Sequence, residues 1–477
     1  MILMLLSMWA ISALLEVRQD TRNIILGTGF FILLLSILWR QIPLDAKLLF
    51  ICILGYALGG KGFAYLSPAK PFFIGEIAMV LCGLGFLLRW RQWGLVDTAI
   101  HRWIWVYLIY AGIHLWLDYH FYRLVAVRDS ATAYYSFFFL AAFVMFRNQK
   151  VMATFEKILK VALFFAIIGG FVSVLNRRFG VSFEIPGFRP HGDGFMPLLT
   201  GAMLLYMIKG IEDKKLHFMI IAVVAVGIVI SIKVAGVVMI GAVICAAILW
   251  GRSRALIFPG IIIASAGFVA ISVATMISPD FFAEKISSSE VAGQIGLEGG
   301  EIGGFSGTSQ WRLNWWGNIW RNTMIIGPWW GQGFGADITG PFLLEWLGLQ
   351  ADPEGYARYP HCIIFTIIGR LGLIGLFIFS ALFITMGFFA LRYCRMFFQS
   401  PDRRDADLIA CGVIIAGMVN GLVQATYEIP YGAIPHWVCL GYMAARYYQP
   451  YSRDAASDAD VIRLSRPEKV IQAASPN

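Results

Sequence analysis

The chain is a succession of nearly uncharged apolar runs, each close to the ~20 residues an α-helix needs to cross a lipid bilayer. They fall at roughly 1–16, 23–40, 46–64, 72–89, 103–118, 130–147, 155–175, 194–209, 216–232, 234–250, 255–277, 361–391, 407–427 and 431–447. In hydrocarbon every backbone N–H and C=O must be satisfied internally, so runs of this length can only be helices. Hydrophobic residues make up 58% of the 477 and charged residues 14%, and the mean hydropathy is +0.70. A water-soluble chain could not hide that much apolar surface. The expected fold class is an all-α polytopic membrane protein of about 12–14 transmembrane helices, with one large loop carrying short helices.

The connections set the orientation. With both ends in the cytoplasm, the loops holding Arg40, Lys47, Arg89, Arg91, Arg102, Arg147, Lys150, Lys157 and Lys160 are internal, as are those holding Arg392, Arg395, Arg403 and Arg404. That is the positive-inside bias. The net charge of +9 is dispersed over these loops and forms no basic face for nucleic acid. The organisation follows: a first transmembrane part at 1–277, an outward loop at 278–360, the last transmembrane helices at 361–447, and a polar tail at 448–477 expected to be disordered. The start of the chain lacks a basic n-region and a small-residue cleavage site before Glu16-Val17-Arg18, so it reads as an uncleaved first helix. Of the seven cysteines, none lies in the 278–360 loop, and no disulfide framework is indicated.

The outward side collects the residues that could do chemistry. Phe218 to Trp250 carries a single charge, Lys233. As one helix this stretch would reach about 50 Å, against a hydrocarbon core of about 30 Å. Two short helices therefore draw Lys233 to the membrane boundary, where it either meets an anionic partner or snorkels to lipid phosphates. Arg189 stands just before another span. In the loop, Arg312 and Arg321 lie among Trp311, Trp315, Trp316, Trp320 and Trp329; a helix capped by Ser309 would set Arg312, Trp316 and Trp320 on one face. Such a face is either an aromatic belt or a sugar-stacking surface beside a cation. Arg358 precedes Pro360-His361. Proline suits a first helical turn, and a histidine at the positive end of a helix dipole stays neutral more readily. His361 is then either a general base for a hydroxyl or an interfacial histidine with no chemical role. Glu428, at the outer end of the penultimate span, could pair with Lys233, an arginine or His361. Arg370 is expected within the membrane with a buried structural partner. Gly331-Gln-Gly-Phe-Gly335 lacks the P-loop pattern, and no zinc-type ligand spacing appears.

In order along the chain, these elements resemble the O-antigen ligase and polymerase superfamily of bacterial envelope enzymes. The resemblance rests on Arg189-Pro-His-Gly192, Ser231-Ile-Lys-Val-Ala235, Arg312-Leu-Asn-Trp315, Pro328-Trp-Trp-Gly-Gln-Gly333, and His361-Cys362 with Gly372-Leu-Ile-Gly-Leu376. It departs at Lys233, where arginine is usual, and at Cys362, where asparagine is usual. The resemblance implies an inner-membrane enzyme that needs no metal or cofactor. Its donor would be an undecaprenyl-diphosphate-linked glycan, and its acceptor a sugar hydroxyl on a glycan or on lipid A–core. His361 would be the base. Arg189, Lys233 and Arg312 would bind the diphosphate, with Arg321, Arg358 and Glu428 in support. A repeat-unit polymerase is expected ahead of a ligase, and either ahead of a flippase for lipid-linked sugars, which would carry charges at the bilayer midplane on several helices.

Overall fold

A computed structural model describes residues 42–64, 73–89, 98–179, 198, 201–202, 304–338, 360–399, 404–422 and 424–448, with backbone alone for 167–179, 304–314 and 398–399. Arg189, Lys233, Arg358, several expected spans and the tail lie outside the described residues. Those described are helical, without a strand among them. The helices are α1 (Leu44–Ala64), α2 (Ile74–Leu88), α3 (Ala99–Tyr122), α4 (Leu124–Asp129), α5 (Ala131–Tyr134), α6 (Phe137–Met145), α7 (Gln149–Phe179), α8 (Gly304–Ile326), α9 (Ile363–Gln399), α10 (Asp405–Gly421) and α11 (Pro430–Tyr448).

By length and composition, the segments Leu44–Ala64 and Ile363–Phe397 can each cross a membrane, and Ile74–Leu88 and Ala131–Met145 are shorter apolar helices. The apolar runs dictate most elements, and acidic residues in first turns mark where they begin. The Glu76 carboxylate accepts from the Phe73 N–H at 3.2 Å, and that of Asp407 from the Arg404 N–H at 3.0 Å, satisfying donors the helix start leaves open. Two expected spans change shape. The run at 130–147 is not one helix, because α5 and α6 are separated by a turn at Tyr135–Ser136. The run at 407–427 stops at Gly421, and the chain turns through Thr426–Glu428 before α11.

α11 packs on α6 and α10, α1 on α7 and α2, and α3 on α9. Close approach needs small residues where backbones meet. A Cβ on Gly441 of α11 would lie 2.7 Å from the carbonyl oxygen of Phe139. The polar residues sort to two ends. At one, Arg89 bonds Asp45, Arg404 bonds Glu156, Lys160 bonds Asp405 and Arg446 bonds Asp407. At the other lie the start of α9, the start of α11 and the end of α3. His361 and Glu428 belong to this second end.

Candidate functional site

α8 lies along the first turns of α9. Trp315, Ile319 and Thr323, spaced by four, are fully buried, the stripe expected of a helix with one face covered. Trp316 stacks on Phe365, ring centroids 5.1 Å apart and 12° from parallel, and its indole Nε1–H donates to the carbonyl of Pro360 at 2.8 Å. The buried face thus runs through Trp315, while Trp320, on the face expected to hold Arg312, Trp316 and Trp320, is 46% exposed. α8 begins at Gly304, which puts Ser309 inside the helix and not at its cap.

His361 sits where these contacts converge. Its ring meets Trp315 edge-on, with centroids 6.3 Å apart. The backbone there has φ 52°, the left-handed region that an L-residue adopts at a cost of about 1–2 kcal/mol. α9 starts at Ile363, so Pro360 precedes the helix and does not occupy its first turn. Its carbonyl is instead held by Trp316. A strained, well-packed histidine at a helix mouth is the kind of feature found at functional sites.

Below this mouth α9 is broken. Gly372 has φ 65° and ψ −163°, and the turn after α8 fills the gap with its own backbone. Gln332 N–H donates to the Gly369 carbonyl (2.8 Å) and Gly333 N–H to that of Arg370 (3.0 Å); Leu373 N–H donates back to Pro328 (2.9 Å). The glycines are required by this contact. Gly331 and Gly372 both have positive φ, and a Cβ on either would fall within 2.6 Å of the other segment's backbone. The glycine turn is thus a splint that joins loop to helix. The far side of the turn is anchored by acids: Asp118 accepts from Phe334 N–H at 2.6 Å and Asp129 from Gly335 N–H at 3.1 Å. Asp129 also pairs with Arg370 at 2.8 Å, the buried partner that arginine requires.

Glu428, in the turn before α11, is 4% exposed. The Thr366 hydroxyl donates to it, and the same hydroxyl lies 3.2 Å from the carbonyl of Cys362, the residue after His361. Among the described residues its hydrogen-bond partner is Thr366; Lys233, one of the expected candidates, lies outside them. Burial pushes the Glu428 carboxyl up to about 7, against the opposing effects of the Thr366 bond and the Arg370 charge.

Of the residues singled out from sequence, His361 and Glu428 stand at the same end of the helices, and Arg321 is exposed on α8. Arg312 has a placed backbone one turn before Trp315 and Trp316. Asp118, Asp129 and Thr366 were missed. The two acids stand at the edges of apolar runs, where α3 continues to Tyr122 and the short α4 follows it; Thr366, inside an apolar run, gave no signal. Among the described residues no group of three His, Cys, Asp or Glu side chains is placed to hold a metal ion.

Residues 218–380 match the family model described as O-antigen ligase. That match supports the O-antigen ligase/polymerase superfamily. The matched stretch contains Lys233, Arg312, α8, the glycine splint and His361, while Arg189 and Glu428 fall outside it. The family indicates glycosyltransferase activity of the O-antigen ligase or polymerase type, on lipid-linked glycans in a membrane setting. No curated protein matches the chain in sequence.

Proposed function

We propose that the protein transfers a glycan from undecaprenyl diphosphate to a sugar hydroxyl on the periplasmic face of the bacterial inner membrane. The observation that carries this reading is the superfamily match over the residues that build the mouth of α9. In this reading about 12–14 helices cross the membrane and 278–360 forms a periplasmic cap between the parts at 1–277 and 361–447. His361 takes the proton from the acceptor hydroxyl, whose oxygen attacks the anomeric carbon as the C–O bond to the diphosphate breaks. Arg189, Lys233 and Arg312 neutralise the departing diphosphate, an effect worth about 10²–10³-fold in rate for each fixed donor. Arg321 and Arg358 support the loop's positive field. The mechanism asks nothing of a metal or cofactor.

Repeat-unit polymerisation is the preferred form, because the expected number of spans exceeds that common among ligases of the superfamily. Transfer to lipid A–core is the alternative. Purified protein given a defined undecaprenyl-diphosphate repeat distinguishes them: a ladder without lipid A–core indicates polymerase, and one shifted product only in its presence indicates ligase. A His361→Ala variant that keeps donor binding but loses turnover supports transfer. Unchanged movement of lipid-linked sugar across the membrane by that variant would favour a flippase and end the enzyme reading.

A further inference from the structure

The end of the bundle opposite His361 carries a cavity of about 480 Å³, lined by Pro43, Arg89, Met145, Arg147, Asn148 and Val151 among others. It lies where the start of α1, the end of α2 and the turn between α6 and α7 come together. Its two arginines differ. Arg89 is neutralised by a two-pronged pair with Asp45, at 2.7 and 3.0 Å. The Arg147 guanidinium makes no ion pair or side-chain hydrogen bond with a described residue, and its Nη1 is buried without a partner. A guanidinium in that state leaves a buried donor unsatisfied, which is unfavourable, the more so for a charged group.

Two further features give the cavity a chemical preference. Asn148, in the lining, caps α7 by accepting from the N–H groups of Lys150 (3.0 Å) and Val151 (3.4 Å), so the positive end of the α7 dipole lies at this site and favours an anion. Beside the arginines the surface turns apolar. Leu44 is 57% exposed, Leu84 52%, Leu87 58% and Leu88 85%. The site therefore offers one unmatched planar cation, a positive helix end and, next to them, a strip of bare leucine.

We infer that this cavity binds the phosphate of an anionic phospholipid headgroup through Arg147, beside the positive end of α7, with the acyl chains lying along Leu44, Leu84, Leu87 and Leu88. A guanidinium matches phosphate oxygens in two-pronged geometry, and basic pockets between membrane helices are suited to lipid headgroups. The leucine strip selects a lipid over a free anion, because inorganic phosphate gains nothing from it.

The test uses the full-length protein, purified in detergent and offered phosphatidylglycerol or phosphatidylcholine, with retained lipid counted by native mass spectrometry. The wild type should retain phosphatidylglycerol in preference. Arg147→Gln should weaken that retention about tenfold or more, the loss of one charged hydrogen-bonded contact. Arg147→Lys should retain part of it, and Lys150→Gln, on the exposed side of α7, should leave it unchanged. No preference in the wild type overturns the inference, whatever the folding state of the variants. Equal losses in Arg147→Gln and Lys150→Gln would mean diffuse attraction to surface charge. Displacement of bound lipid by millimolar inorganic phosphate would reassign the cavity to a free anion.

Discussion

Arg370 and Asp129 are held 2.8 Å apart with their side chains 1% and 0% exposed. The pair joins α9 to the end of α4 at the depth where α9 is interrupted, and Asp129 simultaneously holds Gly335 of the glycine turn. The ion pair, the helix break and the loop are thus one unit, and α8 with its tryptophans is hung from it.

Removing one partner should strand the other charge. Asp129→Asn or Arg370→Gln is expected to destabilise the protein by about 3–5 kcal/mol. An apolar double variant should recover part of this, less about 1–3 kcal/mol for the lost bond from the Gly335 N–H to Asp129. Thermal or denaturant unfolding in detergent checks both.

The splint should reject side chains. Gly331→Ala and Gly372→Ala each add a Cβ against backbone at a positive φ, and each is expected to destabilise by about 2–5 kcal/mol. Gly112→Ala, which meets nothing within 4 Å, should be neutral or stabilising by up to about 1 kcal/mol. Equal tolerance at all three positions would contradict the interlocked backbone.

His361 separates conformation from chemistry. Asparagine tolerates the left-handed backbone, so His361→Asn should fold as well as the native chain while losing roughly 10²–10⁴-fold in turnover if the ring is the base. Near-native turnover by that variant would remove the ring from the reaction. Trp316→Phe keeps the stack on Phe365 but drops the bond to Pro360, and should lower turnover by about tenfold to a hundredfold through misplacement of the histidine.

Glu428 gives stability a pH dependence. Its carboxyl is raised from 4.5 to about 7 in the native state, so between those values the folded protein holds a proton that the unfolded chain has released. Its contribution is fully present below about 4.5, declines as pH rises and is gone above about 7, a change on the order of 3 kcal/mol. Unfolding midpoints at pH 5 and pH 8 should differ accordingly, and Glu428→Gln should flatten the difference.

Much of the helical frame was legible because hydropathy in a membrane chain is a length measurement. The runs at 46–64, 72–89 and 431–447 became α1, α2 and α11 within about two residues. The run at 130–147 misled because an apolar stretch satisfies the same count whether it is one helix or a bent series. Candidate residues stood out in the sequence where chemistry is unusual for its surroundings, as with His361 and Glu428, which the structure sets at the same end of the helices. Asp118, Asp129 and Thr366, whose partners lie far away along the chain, did not stand out.

The sequence alone therefore determined that the chain is helical, which residues are too apolar to face water, and which histidine stands at a helix mouth. Those properties follow from local composition against a fixed bilayer thickness and from backbone groups that need partners. Only the tertiary structure decided that Gly331–Gly335 repairs a break at Gly372, that Arg370 answers to Asp129, and that Glu428 reaches the His361 turn through Thr366. Pairings of this kind depend on which helix ends meet in space, and no local pattern of residues encodes that distance.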